Sequence, residues 1–159
     1  MAIIFKGASA IVTGGASGIG QSIVRALATR GARVVVADIN GSAAEAEALA
    51  LRAQGHDAIA ETVDVTDAAA VERIIVNTEA RWGRIDFFFN NAGIAHIGEL
   101  LDMADDAWKQ TIDVNLWGVV HGVRSVYPRM VKQGSGCIVS TASVAGLAPS
   151  PGFTIYAAT

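Results

Sequence analysis

Runs of β-branched and aromatic residues alternate along this chain with stretches whose apolar positions recur at helical spacing. The first run, residues 10–12, ends in a glycine-rich turn, after which Ile19, Ile23, Ala26 and Leu27 repeat every three or four positions until Gly31. Residues 33–38 form a continuous apolar run of the kind found in a parallel strand covered on both faces. Ser42-Ala43-Ala44-Glu45 reads as a capping box that opens an alanine-rich helix closed by Gly55. Residues 58–65 predict a third strand. From about Thr66, Val71, Ile74, Ile75, Thr78 and Trp82 mark one helix face. Residues 86–90 predict a fourth strand. A loop with His96 and Gly98 then leads to a long helix over 105–132, whose acidic first turn suits the helix dipole. Residues 137–141 predict a fifth strand.

Strict alternation of strand and helix requires crossover connections, and so predicts an α/β fold with a doubly wound parallel sheet. The long helix is apolar on two sides. Ile112, Val119, Val123, Val126 and Met130 form one stripe, and Trp117, Val120, Tyr127 and Val131 form another. One stripe faces the sheet; the other faces either a partner subunit or a further helix of the same chain.

Composition narrows the function more than the fold. The 159 residues are enough for one domain with a sizeable core, and 52% hydrophobic with 17% charged residues excludes a disordered chain. A net charge of −3 supplies no basic field, so nucleic acid is not an expected partner. The apolar start, residues 1–6, is too short for a signal peptide, and no run reaches membrane-spanning length. Cys137 is the only cysteine, which fits a reducing cytoplasm, and it reads as an inert buried thiol. His56 and His121 read as surface positions. The three histidines are scattered, so no metal site is expected.

Candidate chemistry gathers at the carboxyl ends of the strands. Gly14, Ser17, Gly18, Ile19 and Gly20 form a Gly-x-x-x-Gly-x-Gly turn between a strand and a helix. That order presents backbone N–H groups to a phosphate, although a glycine turn without a ligand has the same look. Asp38 ends the second strand. Its carboxylate can accept both ribose hydroxyls of an adenosine and repel a 2′-phosphate, or it can cap the turn. No Arg or Lys lies in the glycine turn, so NAD is expected rather than NADP. Asp64 and Val65 end the third strand and can bind adenine, or simply form a turn. Asn90-Asn91-Ala92-Gly93 makes a sharp turn at the end of the fourth strand. Ser143 follows the fifth strand, and Tyr156 comes after a loop with Pro149, Pro151 and Gly152. A phenol can take an alcohol proton as hydride departs, provided that a neighbouring cation lowers its ordinary pKa of about 10. His96 lies in a loop that can touch a substrate, although an exposed loop histidine is the favoured reading.

Taken together, these motifs resemble the short-chain dehydrogenase/reductase family. The resemblance rests on Thr13-Gly14-Gly15-Ala16-Ser17-Gly18-Ile19-Gly20, Asp38, Asp64, Asn90-Asn91-Ala92-Gly93, Asn115, Ser143 and Tyr156-Ala157-Ala158-Thr159, in order along the whole chain. It implies a Rossmann-type sheet of order 3-2-1-4-5 and an NAD-dependent oxidoreductase acting on a secondary alcohol or ketone. It also implies that Tyr156 is the general acid/base, that Ser143 binds the substrate oxygen, and that Asn115 holds a relay water. Asn91, Ala92 and Gly93 would border the cofactor. The 105–132 helix would build a homodimer or homotetramer if the chain is complete.

The family pattern is Tyr-x-x-x-Lys, and the sequence stops at Thr159, one residue before the lysine. The C-terminal strands and helices of the family are also absent from it. The sequence is therefore read as the cofactor half of a longer dehydrogenase. The alternative is an inactive NAD-binding fragment.

Overall fold

The computed structural model describes residues 5–148 and 150–159, so the apolar start before Phe5 and the expected loop residue Pro149 lie outside the described residues. Five strands form one parallel sheet: β1 (Ser9–Thr13), β2 (Arg33–Asp38), β3 (Ala58–Thr62), β4 (Phe87–Asn90) and β5 (Cys137–Ser140). Their order is β3-β2-β1-β4-β5, so the strand order reverses between β1 and β4. Ala10 pairs with Val34 on one side and Phe87 on the other, and Phe87 pairs with Cys137.

The period of two along each strand divides the core into two layers. Ala10, Val12, Val34 and Val36 point to one face, packing with Val24 and Leu27 of α1 (Gly18–Thr29) and Ala48 and Leu51 of α2 (Gly41–Ala53). Ile11, Val35 and Phe88 point to the other face. There they meet Ile74 and Ile75 of α3 (Ala68–Trp82) and Val126 and Met130 of α5 (Gly118–Gln133). Each fully buried side chain of this kind stabilises the fold by about 1.5–3 kcal/mol. Between the first two helices, the nearly buried Glu47 accepts from Arg25 Nε and Nη2 and from Gln21 Nε2, all at 2.7 Å.

Several expectations shift by a turn. The inward face of α1 is Gly20, Val24, Leu27 and Ala28, while Ile19 is 64% exposed, because Gly20 presses against the turn before it. Asn40, not Ser42, caps α2: its Oδ1 accepts from Ala43 N at 3.1 Å, and Glu45 pairs with Arg52 instead. The third strand ends at Thr62 rather than residue 65. Asp64 then turns the chain, and Asp67 caps α3 through Ala69 N and Ala70 N.

The long helix is continuous but not uniform. α4 (Asp105–Ile112) passes through a π-helical turn, Asp113–Trp117, into α5, which contains Pro128. Its innermost face is Gly118, Gly122, Val126 and Met130. A Cβ at Gly118 would lie 2.8 Å from Val65 Cγ2, and one at Gly122 would lie 2.2 Å from Asn90 Oδ1, so the missing side chains let the helix touch the sheet. The second apolar stripe is largely solvent-facing, with Trp117 48%, Tyr127 58% and Val131 60% exposed.

Among the described residues, Cys137 is exposed where a buried thiol was expected, and β5 pairs with β4. His56 and His121 are half-buried rather than on the surface, and His121 Nδ1 lies 3.0 Å from Val65 O.

Candidate active site

All five parallel strands point their carboxyl ends to one edge, and the reversal between β1 and β4 opens a crevice there of the kind that binds ligands in such sheets. β1 leaves this edge through the glycine turn. Gly14 (φ +63°) and Gly18 (φ +52°) take left-handed backbone angles that side chains disfavour. A Cβ at Gly20 would lie 2.0 Å from Gly14 O, so the start of α1 folds directly onto the turn. Gly15 N donates to Ala37 O at 3.1 Å and Ala16 N donates to Asp38 Oδ2 at 3.0 Å, which anchors the turn to β2. Ser17, Gly18 and Ile19 are exposed, and the Ser17 side chain caps nothing. The first turn of a 12-residue helix therefore offers uncapped N–H groups and a positive dipole end.

Asp38 does hold the turn, as the plainer reading expected. Its Oδ2 accepts from Ala16 N and its Oδ1 from Asn40 N, both at 3.0 Å. Each carboxylate oxygen keeps a further acceptor position, so capping and ligand binding are compatible. Asp64 is exposed and accepts from the backbone and hydroxyl of Thr66. Val65 is buried against the position of Gly118.

A hydrogen-bonded cluster joins this turn to the end of β4. Thr13 Oγ1 donates to Phe89 O at 3.1 Å and accepts from Asn91 N at 3.0 Å and Ala92 N at 3.1 Å. Asn91 Nδ2 donates to Thr13 O at 3.0 Å, while its Oδ1 accepts from Thr141 Oγ1 at 3.1 Å. The ends of β1, β4 and β5 are thus stitched together. Thr13 opens the glycine motif quoted from the sequence without a role of its own, and Thr141, the last residue of the expected fifth strand, carried no signal.

The three residues expected to carry chemistry share one cleft. Asn115, Ser143 and Tyr156 line a cavity of about 450 Å³ together with Asn91, Ala92 and Gly93. Asn115 sits in the π-helical turn, the kind of helix defect that recurs at functional sites. Its amide pairs with the backbone of Ile94: Oδ1 accepts from Ile94 N and Nδ2 donates to Ile94 O, both at 2.9 Å. Ser143 caps the short turn after β5, its Oγ accepting from Ala145 N at 3.2 Å. Tyr156 lies in α6 (Thr154–Ala157), half-buried, its ring edge-on to Phe153 with centroids 6.1 Å apart. Among the described residues, Tyr156 is the one ionisable side chain lining the cleft.

His96 is placed differently. Its Nδ1 lies 3.0 Å from Thr111 Oγ1, whose proton goes to Ala107 O, so the ring ties its loop to α4. The same loop meets the one before Tyr156 through Gly98 N and Gly152 O at 3.0 Å. The displaced carboxylates lie elsewhere: hydrogen bonds from Arg25 hold Glu47 below the usual carboxylate range, and those from Arg129 do the same to Glu72.

This sheet order, glycine turn and carboxyl-edge cleft define a Rossmann-type nucleotide-binding fold. The family model for short chain dehydrogenases matches residues 8–159, and the chain belongs to that family. It is 35% identical over 159 residues to the 2,5-dichloro-2,5-cyclohexadiene-1,4-diol dehydrogenase of Sphingobium indicum, covering 100% of this chain and 64% of that protein. A short chain dehydrogenase/reductase of Burkholderia phymatum, solved in complex with NAD, superposes with a TM-score of 0.96 at 35% identity, over 99% of this chain and 56% of that one. An NAD+-bound xylitol dehydrogenase gives 0.92 at 32% identity, over 97% and 60%. The chain spans about 60% of the length of the curated relatives it matches.

Proposed function

We propose that this chain supplies the cofactor-binding and catalytic part of an oxidoreductase that interconverts a secondary alcohol and a ketone with NAD. The observation that carries the proposal is that Tyr156, among the described residues, is the one ionisable group lining a cleft that also holds Ser143 and Asn115. NAD, when bound, accepts or returns the hydride.

The residues suit that cofactor. The uncapped first turn at Ser17, Gly18 and Ile19, with no Cβ at Gly14, Gly18 or Gly20, admits a pyrophosphate close to backbone N–H groups. Asp38, beside that turn, would accept the adenosine ribose hydroxyls and repel a 2′-phosphate. Asp64 and Val65 would border the adenine, and Asn91, Ala92 and Gly93 the nicotinamide side. The NAD-bound relatives support this choice.

Within the cleft, the Tyr156 hydroxyl takes the alcohol proton in oxidation and returns it in reduction. Ser143 Oγ already accepts from Ala145 N, which leaves its own proton to donate to the substrate oxygen. Asn115 fixes the loop after β4 and holds a relay water beside it. Self-association through the 105–132 helix belongs to this reading. A cytoplasmic enzyme is part of the same reading; among the described residues, no helix is long and apolar enough to cross a membrane.

The test is NADH formation by the full polypeptide carrying this sequence, given NAD+ and secondary alcohols. Xylitol and cyclic diols come first, because the relatives' names point to such compounds. NAD+-dependent turnover of one of them is expected. NADP+ serving better than NAD+, or no NAD+ binding by calorimetry, would contradict the reading.

A further inference from the structure

The amide of Asn115 has one orientation only. Its Oδ1 faces Ile94 N–H and its Nδ2 faces Ile94 O, each at 2.9 Å, and a flipped amide would set oxygen against oxygen. One Nδ2 proton is therefore committed to Ile94 O. The other is directed to Thr159 Oγ1, 3.1 Å away. Thr159 Oγ1 lies 2.9 Å from Tyr156 O, and a carbonyl can only accept, so the hydroxyl proton goes there and its lone pair receives Asn115. Each link of this chain has a single possible polarity. It runs from the loop after β4, through the π-helical turn, to the short helix that carries Tyr156.

We propose that Thr159 is a positioning residue that holds Asn115 and the Tyr156 turn as one hydrogen-bonded unit; its catalytic consequence rests on the reading of Tyr156 given above. The link bears directly on α6, the helical turn that carries Tyr156. Ile155 anchors it from below, being fully buried, but its neighbours are half-buried or exposed. Asn115, Tyr156 and Thr159 all line the same cleft, so a tilt of α6 moves the phenol relative to Ser143. A hydroxyl bridging two elements fixes that tilt, whereas a methyl group of similar shape cannot.

The test compares Thr159→Val with Thr159→Ser in the full polypeptide. Valine keeps the shape of threonine and removes its hydroxyl, whereas serine keeps the hydroxyl. With carbon-13-labelled tyrosine, the ring resonance of Tyr156 is assigned by its loss in Tyr156→Phe. It is expected to shift or broaden in the valine variant and to return in the serine variant. NAD+ affinity by calorimetry should stay within about twofold, since the glycine turn is untouched. With an alcohol that the parent protein oxidises, kcat should fall roughly tenfold in the valine variant, with recovery in the serine variant, as expected for a slight misplacement of a reacting group. An unchanged Tyr156 resonance in Thr159→Val, or the same change in both variants, overturns the link. A valine variant whose resonance shifts while its kcat equals that of the parent overturns the catalytic consequence. If Tyr156→Phe keeps turnover, the functional reading fails instead, and the resonance still reports on the link.

Discussion

Thr13 and Asn91 hold each other from both ends: Asn91 Nδ2 donates to the Thr13 carbonyl at 3.0 Å, and Thr13 Oγ1 accepts the Asn91 N–H at 3.0 Å. This reciprocal pair ties the start of the glycine turn to the turn after β4. A ligand bound across the two turns therefore meets a single rigid edge.

Thr13→Val keeps the shape and removes the hydroxyl. Thr13 is buried, so the N–H groups of Asn91 and Ala92 lose their acceptor. Loss of about 2 kcal/mol or more is expected, because a buried unpaired donor costs roughly 1–3 kcal/mol. Denaturant unfolding of the full polypeptide measures it. A change of a few tenths would show that water replaces the hydroxyl.

Asp38→Ala should weaken NAD and reduce the preference for NAD over NADP. It removes an acceptor from both Ala16 N and Asn40 N as well, so a modest loss of stability accompanies it. Dissociation constants for both cofactors, taken with a melting curve, separate the effects. An unaltered cofactor preference would leave Asp38 as a turn cap only.

Gly122→Ala places a methyl group 2.2 Å from Asn90 Oδ1 and 2.6 Å from Phe88 Cε1. Neither neighbour can withdraw, since both are buried in the sheet. Overpacking of this kind costs about 1–3 kcal/mol, and here the upper end or more is expected. Gly134→Ala meets no atom within 4 Å but demands a left-handed backbone angle, and so should cost less. Equal losses for the two variants would contradict the close approach of α5 to β4.

The Glu47 carboxyl is held below its usual range, first by the hydrogen bond from Arg25 and further by Gln21. A depressed folded-state pKa stabilises the protein above the unfolded pKa, near 4.3 for glutamate, and the benefit is lost as pH falls through the folded value. Glu72, held low by Arg129, acts in the same direction. Melting temperature should therefore drop between about pH 5 and pH 3, and the drop should be shallower in Glu47→Gln. The same acid limb in both proteins would show that Glu47 titrates normally.

Much of this molecule was legible because parallel strands announce themselves. Val34, Val35 and Val36 are buried on alternate faces, and only a sheet covered on both sides demands that run. The glycine turn and Ser143 were legible for a related reason: both follow strand ends, and the structure brings Ser143 into one cleft with Asn115 and with Tyr156 of α6. Cys137 was read as buried from its place in an apolar strand, and among the described residues it lies exposed on β5, which pairs with β4. The cap of α2 was misread because Asn40 and Ser42 both satisfy capping chemistry, and the choice depends on where β2 releases the chain. Gly118 and Gly122 carried a readable signal. Two glycines four apart in a helix mark a face that touches its neighbour, and the apolar stripes drew attention away from them.

The central claim is that Tyr156 moves the proton and does not bind the cofactor. It is tested most directly by measuring turnover and NAD+ affinity side by side for Tyr156→Phe in the full polypeptide. The account predicts that alcohol oxidation disappears while the dissociation constant for NAD+ stays within about threefold, because the glycine turn, Asp38 and the Thr13–Asn91 pair are intact. Retained turnover, or lost NAD+ binding with the fold preserved, would contradict it.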